Sequence, residues 1–334
     1  MNHFEHIQNT FTLDHRPANV RAGRLFARLP FLHRYQRWPI GLGLIPAEGR
    51  FTYRRAGRTQ VVTFNGRNLQ FHALYERSYR YGYELETALL ISALCRDQRP
   101  FLDIGANWGY FSLLAASLPD FSGPIYAFEP NPRTFADLTA TIKQAAVADR
   151  VTACQIGVGS KACEMTVTEV SRFETGVSRL TAGGAGAKIP VKPVDALELG
   201  PPGFMKIDAE GMELDILQGA VGTLAQARPF VVLENFLDYA APEKTYGMMD
   251  FLSQNDYRIF LPVLEFAQNN TSVLLTYDQD YAASIERAGP PRLGVVEVFT
   301  PRRFLLGLHV NLLGVPAANV DELWKAGILD FGKM

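Results

Sequence analysis

The sequence predicts an α/β fold: a mostly parallel sheet with helices on both faces, preceded by a small N-terminal extension. Three observations carry this. From Tyr83 onward, apolar runs of strand length alternate with stretches of helical period. The run "FLDI" passes through a turn holding Gly105 and Gly109 into the apolar "YFSLLAA". The run "IYAF" is followed by Asn131 and Pro132, an N-cap and a first helical residue whose missing N–H costs nothing there.

Taken in order, residues 1–82 form a basic extension in which "RFTYRR" and "TQVVTF" can pair as a hairpin. "ELETALLISALC" is helical, "FLDI" is a strand, and a helix from about Asn107 places Phe111, Leu114, Ala115 and Leu118 on one stripe. After "IYAF", a helix from Pro132 aligns Phe135, Leu138 and Ile142. "VTACQI" is a strand, and the region through "TAGGAGA" reads as an excursion from the sheet. "FMKID" resumes it, one helix follows with Met212, Ile216, Leu217, Ala220, Val221 and Leu224 on its stripe, and "PFVVLE" is again a buried strand. "GVVEVFT" and "FLLGLHVNLLGV" are expected to close the sheet as an antiparallel pair. The second domain thus runs over residues 83–334.

Composition narrows the class. Of 334 residues, 47% are hydrophobic and 20% charged, the balance of a chain that buries a core. The polar N-terminus does not read as a signal peptide, and the three cysteines, odd in number and without a CxxC pair, suit a reducing cytoplasm. They are expected to be small core residues. The net charge of −1 hides a segregation, because residues 1–60 hold ten Arg against Glu5, Asp14 and Glu48. The stretch "RAGRLFARLPFLHRYQRW" (21–38) can pair with the acidic remainder of the chain, hold a phosphate-bearing substrate, or meet an anionic membrane surface or a lipid-linked saccharide. No motif for nucleic acid accompanies it.

A parallel α/β sheet binds ligands beyond the carboxyl ends of its strands, and "DIGANWG" lies at such an end. A dinucleotide fingerprint reads G-x-G-x-x-G, whereas Asp103, Gly105 and Gly109 give D-x-G-x-x-x-G without the middle glycine. An acidic residue beside the loop disfavours a pyrophosphate and favours a ligand with a cationic centre near its carboxylate. Glu129, at the end of the next strand, is placed to accept hydrogen bonds from both hydroxyls of a ribose. S-adenosylmethionine has both features.

The blocks "FLDIGANWGYFSLLAA", "IYAFEPNPRTFADL", "VDAL" with "FMKIDAEGMELDILQGA", and "ARPFVVLE" resemble the successive motifs of the FkbM family of S-adenosylmethionine-dependent methyltransferases, over about Tyr83 to Glu234. The resemblance implies a class I methyltransferase (Rossmann-like) fold and methyl transfer to a hydroxyl of a carbohydrate, glycan or glycosylated metabolite. It implies that Asp103, Gly105, Ala106, Asn107 and Gly109 line the methionine end of the cofactor and Glu129 its ribose. Asp208, after the strand "FMKI", is the first choice for taking the acceptor's proton, with Glu210 and Glu234 next. These carboxylates leave a divalent cation open as an alternative, but no histidine stands at ligand-like spacing, and the site is read without a metal.

Lys206 is expected to pair with a neighbouring carboxylate, and Glu213 and Asp215 to be dipole partners of their helix and nothing more. The family often carries a histidine just after "VVLE", where this chain has "ENFLDY". His72 and His309 read as packing or surface residues. Two rival functions share the fold: an NAD(P)-dependent oxidoreductase of a nucleotide sugar or polyol, opposed by the missing glycine, and a non-catalytic nucleoside-binding module, opposed by Asp103, Glu129 and Asp208.

Overall fold

A computed structural model describes residues 2–27, 45–169, 178–268, 271–276 and 281–333. Most of the Arg-rich stretch 21–38, with the contacts expected of it, lies outside the described residues. Strands β1 (Phe11–His15), β2 (Glu48–Arg55) and β3 (Arg58–Asn65) make a three-stranded antiparallel sheet, so the predicted hairpin is present with one further strand on its edge.

The main sheet has ten strands. Its parallel half is β6 (Val151–Cys154), β5 (Ile125–Phe128), β4 (Phe101–Ile104), β11 (Phe204–Ile207) and β12 (Phe230–Phe236), in that spatial order. Of these, β4, β5, β11 and β12 are short and almost wholly buried, as strands covered on both faces must be, while β6 at the edge buries only Val151. Between β6 and β11 the expected excursion is a separate four-stranded sheet of β7 (Gly157–Val158), β8 (Cys163–Glu169), β9 (Ser178–Thr181) and β10 (Ala187–Lys192).

The other half is β13 (Tyr257–Gln268), β14 (Thr271–Leu275), β15 (Arg292–Glu297), β16 (His309–Pro316) and β17 (Leu329–Lys333). Here the expected antiparallel pair is corrected. Strands β15 and β16 do not pair with each other; β13 lies between them and is antiparallel to both, while β16 joins the parallel half by pairing with β12. The twelve-residue β13 is long enough to serve both neighbours and β14. The 3₁₀ helix Thr300–Leu305 takes Thr300 from the end of one expected strand and Phe304 and Leu305 from the start of the other.

The helix Tyr110–Ser117 is buried on every side, not on one stripe. The cause is the N-terminal extension: Phe51, Tyr53, Phe64 and Phe71 belong to the same apolar cluster as Trp108, Tyr110 and Phe111, so the helix has a sheet on each side. The helix expected to run on from Met212 is broken into Glu213–Gln218 and Val221–Gln226. The break falls at Gly219, where a Cβ would stand 2.1 Å from the Gly159 carbonyl oxygen. Of the cysteines, only Cys95 is buried; Cys154 is half-buried and Cys163 exposed.

A buried hydrogen bond ties the helix to the N-terminal sheet: the Tyr53 hydroxyl donates to the Leu113 carbonyl at 2.9 Å. Tyr53→Phe is expected to lower the unfolding free energy by about 1 kcal/mol in a denaturant titration; an unchanged midpoint and slope would show that the bond contributes nothing.

Candidate functional site

The site begins with a contact between two backbones. After β4, Gly105 takes φ +80°, and a Cβ there would stand 1.7 Å from the carbonyl oxygen of Asp208, so only glycine lets the turn after β4 lie against the turn after β11. The Asp208 amide in turn donates to the Ile104 carbonyl at 3.0 Å. The amides of Gly105 and Ala106 both donate to the Phe128 carbonyl, at 3.0 and 2.9 Å, which ties the same turn to the end of β5. These two amides are therefore engaged by protein.

Asn107 follows with φ +50°, a left-handed conformation that asparagine tolerates better than most residues. Its amide donates to Glu129 Oε2 at 3.1 Å, and the Asn131 amide donates to Oε1 at 2.8 Å. Both oxygens of this buried carboxylate are thus fixed by backbone, and each keeps a lone pair. Burial pushes the Glu129 carboxyl up to about 7, against the pull of the two amides. Asn131 also caps the helix Pro132–Gln144 as predicted, its side chain accepting from the Arg133 amide at 2.9 Å.

Across β4, the Lys206 ammonium is buried among carboxylates. It donates to Asp208 Oδ2 at 2.8 Å and lies 5.0 Å from the centre of the Phe111 ring. Burial alone would lower its pKa, but Asp208, Asp103 and Glu84 together hold it above the ordinary lysine value. Burial raises Asp103, whose Oδ2 accepts from the Ser112 hydroxyl at 2.6 Å and whose Oδ1 has no hydrogen-bond donor among the described residues. Glu84 is pushed up to about 8 by burial, with Lys206 opposing, and its Oε2 accepts from Asn311 at 3.0 Å. Glu213 exceeds its expected role, because its Oε1 accepts from the amides of both Ala209 and Gly211 at 3.1 Å and so shapes the turn after β11. Asp215 likewise accepts from the Ser160 hydroxyl at 3.0 Å.

These turns border a cavity open to the surface. Gly105, Ala106, Asn107, Glu129, Asp208 and Glu210 line it, and Lys206 stands on its floor. Asp103 and Gly109 do not face it. Asp103 lies beneath the turn, and Gly109, at φ +94°, starts the helix Tyr110–Ser117 with Leu138 packed where a Cβ would be. Glu234 also stands off the cavity wall; burial and the nearby Asp208 and Glu84 charges raise its carboxyl, and its Oε1 touches His309 Nε2. That contact corrects the reading of His309: β16 delivers a histidine to Glu234 from the adjoining strand, with its ring stacked 3.9 Å from that of Phe236. Sequence order hides this pairing, since 74 intervening positions separate the two residues and only the β12–β16 register joins them.

The cavity also takes residues from outside the predicted set. Gln70 and Tyr83 close one side, Met212 follows the turn after β11, and Ile156, Val158 and Leu180 come from the strands around the small sheet. Trp108 serves both packing and site: it lines the cavity and stacks on Phe71 at 4.6 Å. The described residues hold no group of three or more His, Cys, Asp or Glu arranged for a metal, and no helix among them is long and apolar enough to cross a membrane.

Residues 103–259 match the model of the methyltransferase FkbM domain. The chain is similar to the hexuronic acid methyltransferase AglP of Haloferax volcanii, 27% identical over 135 residues, which are 40% of this chain and 54% of that protein. Among solved structures it resembles methyltransferase FkbM from Methylobacillus flagellatus KT, with 22% identity, 57% of this chain and 48% of the other covered, and a TM-score of 0.39. It also resembles the O-methyltransferase from Bacillus cereus in complex with SAH, with 10% identity, 70% and 79% covered, and a TM-score of 0.37. The chain spans about half the length of AglP and of the Methylobacillus protein.

Gly105→Ala forces a methyl group into the Asp208 carbonyl and strains a left-handed residue. The expected loss is roughly 3 kcal/mol of folding stability, read by denaturant unfolding, and a loss below 1 kcal/mol would mean that the two turns separate easily.

Proposed function

We propose that this chain, whose residues 103–259 match the methyltransferase FkbM domain, transfers a methyl group from S-adenosylmethionine to a hydroxyl of a carbohydrate acceptor. The observation that carries the reading is the cavity itself, in which the doubly anchored Glu129 and the partly exposed Asp208 stand at the ends of β5 and β11, the parallel strands that flank β4. The cofactor's chemistry when bound is that of an electrophilic methyl group on a sulfonium. The residues fit such a group: Glu129 keeps lone pairs for a pair of ribose hydroxyls, Trp108, Phe111 and Phe128 offer apolar surface, and Asp208 and Glu210 supply negative charge. The sugar-methylating relative supports the acceptor class.

Methyl transfer to oxygen forms an O–C bond as the C–S bond breaks, and the hydroxyl proton must leave. Asp208 is the group for that proton. Lys206 fixes Oδ2 and so orients the carboxylate without a neighbouring side chain having to move. Alignment of acceptor oxygen and methyl carbon supplies most of the acceleration, and removal of the proton supplies a further part. The small sheet, through Leu180, and the turn after β11, through Met212, narrow the cavity against water.

Two substitutions test the reading. Glu129→Gln turns one acceptor oxygen into a donor facing a backbone N–H, and it is expected to weaken SAH binding at least about tenfold in calorimetry; unchanged affinity would remove the ribose assignment. Asp208→Asn keeps the shape and removes the base, so transfer of labelled methyl to hexuronic-acid-containing saccharides should fall roughly a hundredfold with SAH affinity retained. Wild-type turnover in that variant would exclude Asp208 as the proton acceptor.

A further inference from the structure

The residues that hold Glu129 are themselves held from a distant part of the chain. Asn68 lies in the extension, ahead of the matched region, and is fully buried. Its side-chain amide donates to Asn107 Oδ1 and to Asp137 Oδ2, each at 3.1 Å, and its carbonyl oxygen accepts from the Gln70 amide at 3.1 Å. Both donor hydrogens and the acceptor of this one side chain are therefore used.

The two donor bonds reach different turns. Asn107 belongs to the turn after β4, and its amide binds Glu129 Oε2. Asp137 belongs to the helix Pro132–Gln144, whose cap, Asn131, binds Glu129 Oε1. Asn68 thus closes a ring that runs through Asn107, Glu129, Asn131 and Asp137 and returns to itself. The same segment adds two further ties: the Gln70 carbonyl accepts from Trp108 Nε1 at 3.0 Å, and Phe71 stacks on the Trp108 ring. Gln70 and Trp108 both line the cavity.

We propose that Asn68 is a positioning residue for the ribose end of the cofactor site, and that the strap of residues 68–71 is part of that site. The inference rests on the methyltransferase reading above. Asn68 does not touch the nucleoside. It fixes the separation of the two turns whose amides aim the Glu129 oxygens, and left-handed Asn107 has in it a tether from another element. Positioning of this kind matters because a small displacement of a hydrogen-bonding group removes most of its value.

The charge environment supplies a readout that loss of packing alone would not give. Burial pushes the Asp137 carboxyl up to about 6, and the Asn68 amide draws it down. Besides Asn68, the groups near it are Glu48 and Arg67, which line the same surface depression from the N-terminal sheet. Asn68→Asp sets a second buried carboxylate against Asp137. Below about pH 6, one of the pair keeps a proton and donates it to the other, preserving the bond to Asp137 but not the one to Asn107; at pH 8 both are driven toward ionisation and repel.

The test is calorimetric titration of the full chain with SAH at pH 6 and pH 8, with thermal melts in the same buffers. Asn68→Ala is expected to weaken binding about tenfold at both pH values, and Asn68→Asp to weaken it several-fold more at pH 8 than at pH 6, relative to wild type. Val61→Ala, exposed on β3 of the same extension, should stay within twofold. Wild-type affinity in Asn68→Ala overturns the proposal. If that variant lacks a cooperative melt, Asn68→Asp decides, and an affinity that does not change with pH overturns it. A wild-type chain that takes up no SAH removes the methyltransferase reading and this inference with it, whereas wild-type binding with an indifferent Asn68→Ala removes this inference alone.

Discussion

The rest of the site depends on a single buried ammonium. Asp103, Asp208 and Glu84 gather around Lys206, and without that charge three carboxylates would stand in a region where water does not offset their repulsion. Lys206 sits on β11, between β4 and β12, paired in register with Asp103 of β4. Its presence lets Asp208 stay at the cavity and Asp103 stay beneath the turn. Breaking such a cluster by removing one member costs far more than the cluster contributes as a whole, because the remaining charges are left uncompensated. The arrangement is one of function tolerated by stability.

A second theme is how few of the site's polar groups are free to choose their direction. Glu129 is aimed by two amides, Asp208 by Lys206, and the turn after β11 by Glu213. Most of these restraints lie within four residues in sequence, whereas the Asn107 amide reaches Glu129 from 22 residues away. The result is a cavity whose polar wall is set before any ligand arrives, the condition under which binding energy is spent on the ligand and not on ordering the protein.

Much of the parallel half was legible because its strands are short apolar runs bounded by turn residues, and because Asn131–Pro132 is a helix start whatever the tertiary context. Gly105 was legible as a turn residue, although its reason, the Asp208 carbonyl, was not. What the sequence hid depends on pairing across the sheet. The position of β13 between β15 and β16, the meeting of His309 with Glu234, and the ring closed by Asn68 all need register, which apolar alternation does not specify between remote segments. The one-stripe expectation for Tyr110–Ser117 failed for a related reason: period shows which face of a helix must be covered, but not whether a second layer covers the other. The helix break at Gly219 was missed because a glycine within a helical pattern does not reveal the carbonyl packed against it.

The sandwiching of Tyr110–Ser117 has a consequence for how the chain matures. Phe51, Tyr53, Phe64 and Phe71 leave the ribosome well before the helix they cover, so their apolar side waits, uncovered, while several tens of further residues are made. A nascent chain in that interval is exposed to the wrong partners, and contacts of such long sequence separation form slowly. Yield of intact protein in a cell should therefore respond to chaperone supply and translation rate more than its finished stability suggests.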